Sequence, residues 1–269
     1  MAVAEMVRSA DGTAIAFARL GHGPALILVD GALGGREHPL HSQLAALLSA
    51  RFTVFNYNRR GRGDSGDTAP YAVAREIEDI AALIEAAGGS AFVYGISSGA
   101  ILALDVANAH PDKVAKLALY EPPFIIDASR APLPTDYVAH LDALNAAGRR
   151  GDAVEYFMTA ALQIPAEFLD QMRRDPGWAD METVAHTVAY DGRVVGDTMS
   201  GKPLPTNRWS AVTMPTLVLD GEITENFIHT GAAALAAILP AAQRQTLAGQ
   251  HHGVEPAALA PALIAFFAD

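Results

Sequence analysis

The stretch Ala91-Phe92-Val93-Tyr94-Gly95-Ile96-Ser97-Ser98-Gly99-Ala100 decides how this chain is read. Its first four residues are apolar or aromatic, as in a strand buried on both faces. Residues 98–109 have helical character and end before Pro111. The backbone must therefore turn sharply from strand to helix. Such a turn lifts one side chain above the sheet edge and crowds its neighbours, so glycine is required where a Cβ would not fit. Ser97 has Gly95 and Gly99 two residues away on each side, whereas Ser98 has Ile96 and Ala100 there. Ser97 is the candidate nucleophile. The helix that follows it directs free N–H groups at the same point and favours developing negative charge.

Outward from this segment, short β-rich runs alternate with helical ones. Residues 3–8 and 13–19 flank Asp11-Gly12, a hairpin signal. Strands are expected at 25–30 and 52–57, with a helix at 39–50 between them. A helix at 73–87 carries Ile77, Ile80, Leu83 and Ile84 on one face and stops at Gly88-Gly89. Residues 114–120 form the sixth strand. From 122 to about 210 the strand rhythm is lost, and helices are expected at 137–147, 152–162, 166–174 and 181–189. It resumes with a strand at 216–220, a helix at 231–238, a strand at 243–247 and a closing helix at 256–267. This pattern predicts a mostly parallel, doubly wound α/β sheet with a helical cap inserted after the sixth strand. The core would be 1–122 with 211–269, and the cap 123–210. An insertion at that point overhangs the edge where such sheets bind ligands, and would shape and dry a site.

Composition narrows the partners. A hydrophobic share of 51% over 269 residues supplies a large core, and a charged share of 18% argues against a disordered chain. The net charge of −11 disfavours nucleic acid and anionic lipid. The absence of cysteine excludes disulfides, thiolate metal sites and a cysteine nucleophile. Residues 1–10 lack the apolar stretch of a secretory leader, and no apolar run is long enough to span a membrane, so a cytoplasmic location is expected.

Taken in order, several segments resemble the α/β-hydrolase fold superfamily over nearly the whole chain. Asp11-Gly12-Thr13 with Ile15-Ala16-Phe17 is similar to its opening hairpin, and Leu28-Val29-Asp30-Gly31 to the strand that ends in His-Gly in many members. Tyr57-Asn58-Arg59-Arg60-Gly61-Arg62-Gly63-Asp64-Ser65 resembles the Y-D-x-R-G-x-G-x-S loop, and Gly95–Gly99 the G-x-S-x-G nucleophile elbow. Pro215 to Glu222 resembles the strand before the acid loop. Leu247-Ala248-Gly249-Gln250-His251-His252 resembles the segment that carries the catalytic histidine. Three positions depart from the pattern. Asp30 replaces a frequent histidine, which alters a side chain beside the oxyanion hole but no backbone donor. Asn58 replaces an aspartate, with a structural effect expected. Thr224 occupies the usual place of the triad acid.

The resemblance implies a serine esterase with a Ser–acid–His order. His252 aligns with the catalytic histidine, with His251 as its rival and His38 near the same loop. With Thr224 in the usual slot, the acid candidates are Glu121, Asp220, Glu222 and Glu225. Glu121 ranks first because the haloalkane dehalogenase relatives carry a glutamate just after the sixth strand; Asp220 ranks second and Glu222 third. The amides of Ala32 and Ser98 are the expected oxyanion donors. Gly31, Leu33, Phe124 and Tyr156 are the expected substrate-pocket residues. Arg59, Arg60 and Arg62 are read as salt-bridge and loop-packing residues rather than an anion site. The expected reaction is cleavage of a carboxylic ester of a small, largely apolar substrate through an acyl-enzyme on Ser97. Thioester, lactone and C–C bond cleavage use the same machinery, and a binder or cyclase with an incomplete triad is the non-hydrolytic alternative. No metal or organic cofactor is implied, because the histidines show no ligand spacing that competes with the triad.

Overall fold

The computed structural model describes residues 4–268. Eight strands form one sheet: β1 (Glu5–Arg8), β2 (Ala14–Leu20), β3 (Ala25–Val29), β4 (Thr53–Tyr57), β5 (Ala91–Ile96), β6 (Val114–Tyr120), β7 (Thr216–Gly221) and β8 (Ala242–Leu247). Their spatial order is β1-β2-β4-β3-β5-β6-β7-β8. β1 and β2 pair antiparallel, as do β2 and β4, and the remaining pairs are parallel. Val3, the expected start of the first strand, lies outside the described residues.

Side-chain alternation on the strands feeds two cores. Ile27, Val29, Val93, Leu117, Leu119 and Val218 face one side, where they pack on α2 (Val73–Ala86), α3 (Ser98–Ala109) and α9 (Asn226–Ile238). Leu26, Leu28, Tyr94, Ala118, Tyr120 and Leu217 face the other side, covered by α1 (Pro39–Leu48) and α10 (Pro256–Ala268). The sheet is thus doubly wound, as the alternation predicts. Among the described residues, no helix is long and apolar enough to cross a membrane.

Between β6 and β7 the chain is helical: α4 (Tyr137–Ala146), α5 (Arg150–Tyr156), α6 (Ala166–Met172), α7 (Gly177–Thr183) and α8 (Val188–Val195). This block has its own core, which includes Tyr137, Leu141, Val154, Trp178 and Val188. Two helices differ from expectation. The segment 152–162 ends its α-helix at Tyr156 and continues as a π-helical turn, Phe157–Ala161. The helix expected at 181–189 is two helices separated by a tight turn, Ala185–Thr187. The Thr187 hydroxyl donates back to the Val184 carbonyl at 2.8 Å and accepts from Arg62 Nε at 3.1 Å, so a local bond and a distant arginine together fix the break.

Candidate active site

β5 delivers Ser97 at the carboxyl edge of the sheet, with φ 57° and ψ −129°. A residue other than glycine adopts that conformation only where its surroundings hold it. Here the hold is close packing. A Cβ on Gly95 would lie 2.8 Å from the Ala100 Cα, and one on Gly99 would lie 2.7 Å from the Asp30 carbonyl carbon. The Ser97 amide donates to the Tyr120 carbonyl at 2.9 Å, which ties the turn to β6.

Glu121 is the next residue after β6. It has φ 46° and is fully buried. Its Oε1 accepts the Gly221 amide at 2.8 Å. Its Oε2 lies 2.7 Å from His252 Nδ1 and accepts the Thr224 hydroxyl at 3.2 Å. A carboxylate only accepts, so Nδ1 carries the hydrogen, and in the neutral ring Nε2 presents a lone pair. The end of β7 and the loop after it, where the family pattern places an acid, here donate one hydrogen bond each to a carboxylate carried just after β6. The other acid candidates are engaged elsewhere. Asp220 binds His229 at 2.6 Å, Thr246 at 2.8 Å and also Arg244, while Glu222 accepts the Gly249 amide at 2.8 Å. Glu225 is exposed. His251 turns its ring to the Gly253 amide at 3.0 Å, and its carbonyl accepts the Tyr120 hydroxyl at 2.7 Å.

Ser97 and His252 line one cavity of about 260 Å³ with Ala32, Ser98 and Thr224. Among the described residues, no hydrogen bond joins the Ser97 hydroxyl to the His252 ring. Ser98 is the first residue of α3, so its amide lies outside the helix's own ladder. A second cavity of about 320 Å³ meets the first at Ser97 and His252, and is lined by Gly31, Leu33 and His38.

Phe124 and Tyr156 are placed away from both cavities. Phe124 is fully buried against Trp209, with ring centroids 5.7 Å apart. Tyr156 sits behind Tyr137, centroids 5.5 Å apart, and lines an outer groove with His140. Tyr137 and Phe157 form the aromatic wall instead. Burial pushes the Tyr137 phenol well up, so it stays protonated across the physiological range.

Two further residues shape the site. The buried Asp191 on α8 receives Arg59 at 2.6 Å and the Ser98 hydroxyl at 2.7 Å on Oδ1, and Arg62 at 2.6 Å on Oδ2. Arg62 also binds the carbonyls of Gly31 and Gly34, and Arg59 that of Asp30 at 3.2 Å. One carboxylate from the helical block thereby ties down the loop of Ala32 and the residue after Ser97. Arg59 and Arg60 pair with Glu76 and Asp79, both at 2.7 Å. The arginine run is therefore engaged in salt bridges. Its one sequence clue to Asp191 is that three clustered cations need carboxylates from elsewhere. Arg130 is the second unforeseen wall residue.

A model of the Alpha/beta hydrolase family matches residues 20–263 of the chain. An alpha/beta hydrolase from Sphaerobacter thermophilus, known as a crystal structure, is similar at 50% identity. That match covers 98% of this chain and 100% of that one, with a TM-score of 0.90. Among curated proteins, the uncharacterized hydrolase YraK of Bacillus subtilis is 33% identical over 106 residues, 38% of each chain. The lipase LipV of Mycobacterium tuberculosis is 35% identical over 94 residues, 34% of this chain and 36% of that protein. The chain thus spans little more than a third of the length of the curated relatives it matches. The family model covers far more than half of the sequence: the chain belongs to the alpha/beta hydrolase family.

Proposed function

We propose that the protein is a serine hydrolase that cleaves a carboxylic ester of a small, largely apolar substrate. The observation that carries this reading is the 2.7 Å contact between His252 Nδ1 and the buried Glu121, beside the strained turn at Ser97. Ser97 Oγ attacks the ester carbonyl carbon while His252 Nε2 takes its proton. The amides of Ala32 and Ser98 hold the oxyanion of the tetrahedral intermediate. His252 returns the proton to the departing alkoxide oxygen, and the C–O bond breaks. Water, deprotonated by the same nitrogen, then attacks the acyl-enzyme; the free acid leaves and Ser97 regains its proton.

The helical segment 123–210 acts as a cap in this reading. Its Leu133, Tyr137, Phe157, Val195 and Met199 make the cavity wall apolar, which favours small apolar groups and excludes bulk water. Lactones and thioesters would enter the same steps. The engaged Glu121 supports an assembled triad over an incomplete one. The test is turnover of short p-nitrophenyl esters by the wild-type protein and by S97A. Turnover by the wild type alone is expected, and equal rates in both would overturn the assignment.

A further inference from the structure

Arg130 has a place in the cavity wall and lacks the compensation given to the other buried guanidinium groups. It is about nine-tenths buried. A guanidinium offers five N–H donors. Among the described residues, one hydrogen bond uses them, from Nη2 to the Ala161 carbonyl at 2.7 Å. Nε is buried without a partner. Nη1 is 3.9 Å from Glu225 Oε1, beyond hydrogen-bond distance, and that carboxylate is 64% exposed. The guanidinium lies over the Phe227 ring at 4.2 Å. Arg59, Arg60 and Arg62, buried to a similar degree, each meet a carboxylate at 2.6–2.7 Å. Asp191 shares the cavity wall, but both of its oxygens are already taken by Arg59, Arg62 and Ser98.

A buried charge is costly unless it is paired and hydrogen-bonded, and a planar group with two acceptor oxygens matches the guanidinium fork. We propose that Arg130 is a carboxylate-binding subsite, so that the favoured substrate carries a carboxylate at the end of a short chain remote from the scissile carbonyl. This rests on the hydrolase reading above. The two cavities that meet at Ser97 and His252 provide separate arms for the acyl and alcohol halves, and Arg130 lines only the first. The half that enters the Arg130 arm is the one that carries the charge.

The experiment compares kcat/KM for mono-p-nitrophenyl glutarate, with its carboxylate on the acyl side, against p-nitrophenyl pentanoate. It also compares 4-(butanoyloxy)butanoate, with its carboxylate on the alcohol side, against pentyl butanoate. In the wild type, one charged ester should exceed its neutral partner by roughly 10- to 100-fold, as expected for charge-assisted hydrogen bonds. R130Q should abolish that ratio, mainly through KM. E225Q changes an exposed side chain and should raise the ratio a few-fold by removing the competing carboxylate. It carries the test should R130Q not fold. No preference for either charged ester, or a ratio unmoved by both substitutions, overturns the proposal. Calorimetry with glutarate on S97A separates the two readings. Arg130-dependent glutarate binding without ester turnover leaves the subsite standing and the hydrolase reading overturned. Neutral-ester turnover without a charge preference does the reverse.

Discussion

Replacing Glu121 by glutamine tests the acid assignment with little change in shape. The Gly221 amide donates to Oε1, so in E121Q the amide oxygen will occupy that position and the NH2 group will take the place of Oε2. There it faces His252 Nδ1, 2.7 Å away, and the Thr224 hydroxyl at 3.2 Å. An NH2 group can only donate, so Nδ1 must become the acceptor and the ring hydrogen moves to Nε2. On the proposed mechanism the histidine then lacks the lone pair that would take the Ser97 proton. The corresponding Asp-to-Asn change in a chymotrypsin-type triad lowers kcat by about 10⁴, or about 5 kcal/mol in barrier height. A loss of roughly 10³- to 10⁴-fold is expected here. Every hydrogen bond at the site finds a replacement, so stability should stay within about 1 kcal/mol of wild type. The assay is kcat on a short p-nitrophenyl ester, paired with thermal melting. D220N is the control, because Asp220 serves His229, Arg244 and Thr246 instead. Should E121Q retain kcat within about ten-fold of wild type, or D220N lose as much as E121Q, Glu121 is not the triad acid.

Three other outcomes follow from the packing and charge of the site. G95A places a Cβ 2.8 Å from the Ala100 Cα, a backbone atom that cannot swing away, so about 1–3 kcal/mol of stability and most of the activity should be lost; a melting temperature equal to wild type would contradict this. D191N leaves the buried Arg62 without its carboxylate and loosens the loop of Ala32. Urea unfolding should show a loss of about 3–5 kcal/mol, and a loss below about 1 kcal/mol would refute the clamp. For Asp30, burial alone pushes the carboxyl up, but His41, Arg62 and His38 outweigh it and hold it below the usual carboxylate range. Its contribution to stability is therefore present above about pH 4 and lost as pH falls through the depressed folded value. D30N should flatten the acid limb of a melting-temperature profile, and an unchanged limb would show that Asp30 plays no part.

The elements that position the site were legible because local chemistry specifies them. Gly95 is dictated by backbone contact within the turn itself and Gly99 by the adjacent end of β3 at Val29 and Asp30, and this glycine spacing is what marks Ser97 in the sequence. The central parallel strands β3 and β5 are continuous apolar runs between clear turn signals. The helical block was harder. The break between α7 and α8 combines a local bond, Thr187 to the Val184 carbonyl, with a tertiary one from Arg62, and only the first lies within the segment's own sequence. Asp191 pairs with Arg59 across 132 residues of sequence, and only the folded chain brings the two together. Aromatic residues in the block can line a site or fill a core; periodicity does not tell which. Tyr137 and Phe157 reached the cavity, whereas Tyr156 and Phe124 were absorbed by packing. Thr224 read as a gap in the family pattern, yet its hydroxyl is a hydrogen-bond donor to the carboxylate that stands beside His252.

In the proposed mechanism Ser97 is a nucleophile activated by His252. Incubation with a fluorophosphonate, followed by proteolysis and mass spectrometry, tests it most directly. A stoichiometric mass increase confined to the peptide bearing Ser97, absent in S97A and slowed by orders of magnitude in H252A, is the expected result. An unmodified Ser97 in folded wild-type protein, or modification at equal rate without His252, would contradict it.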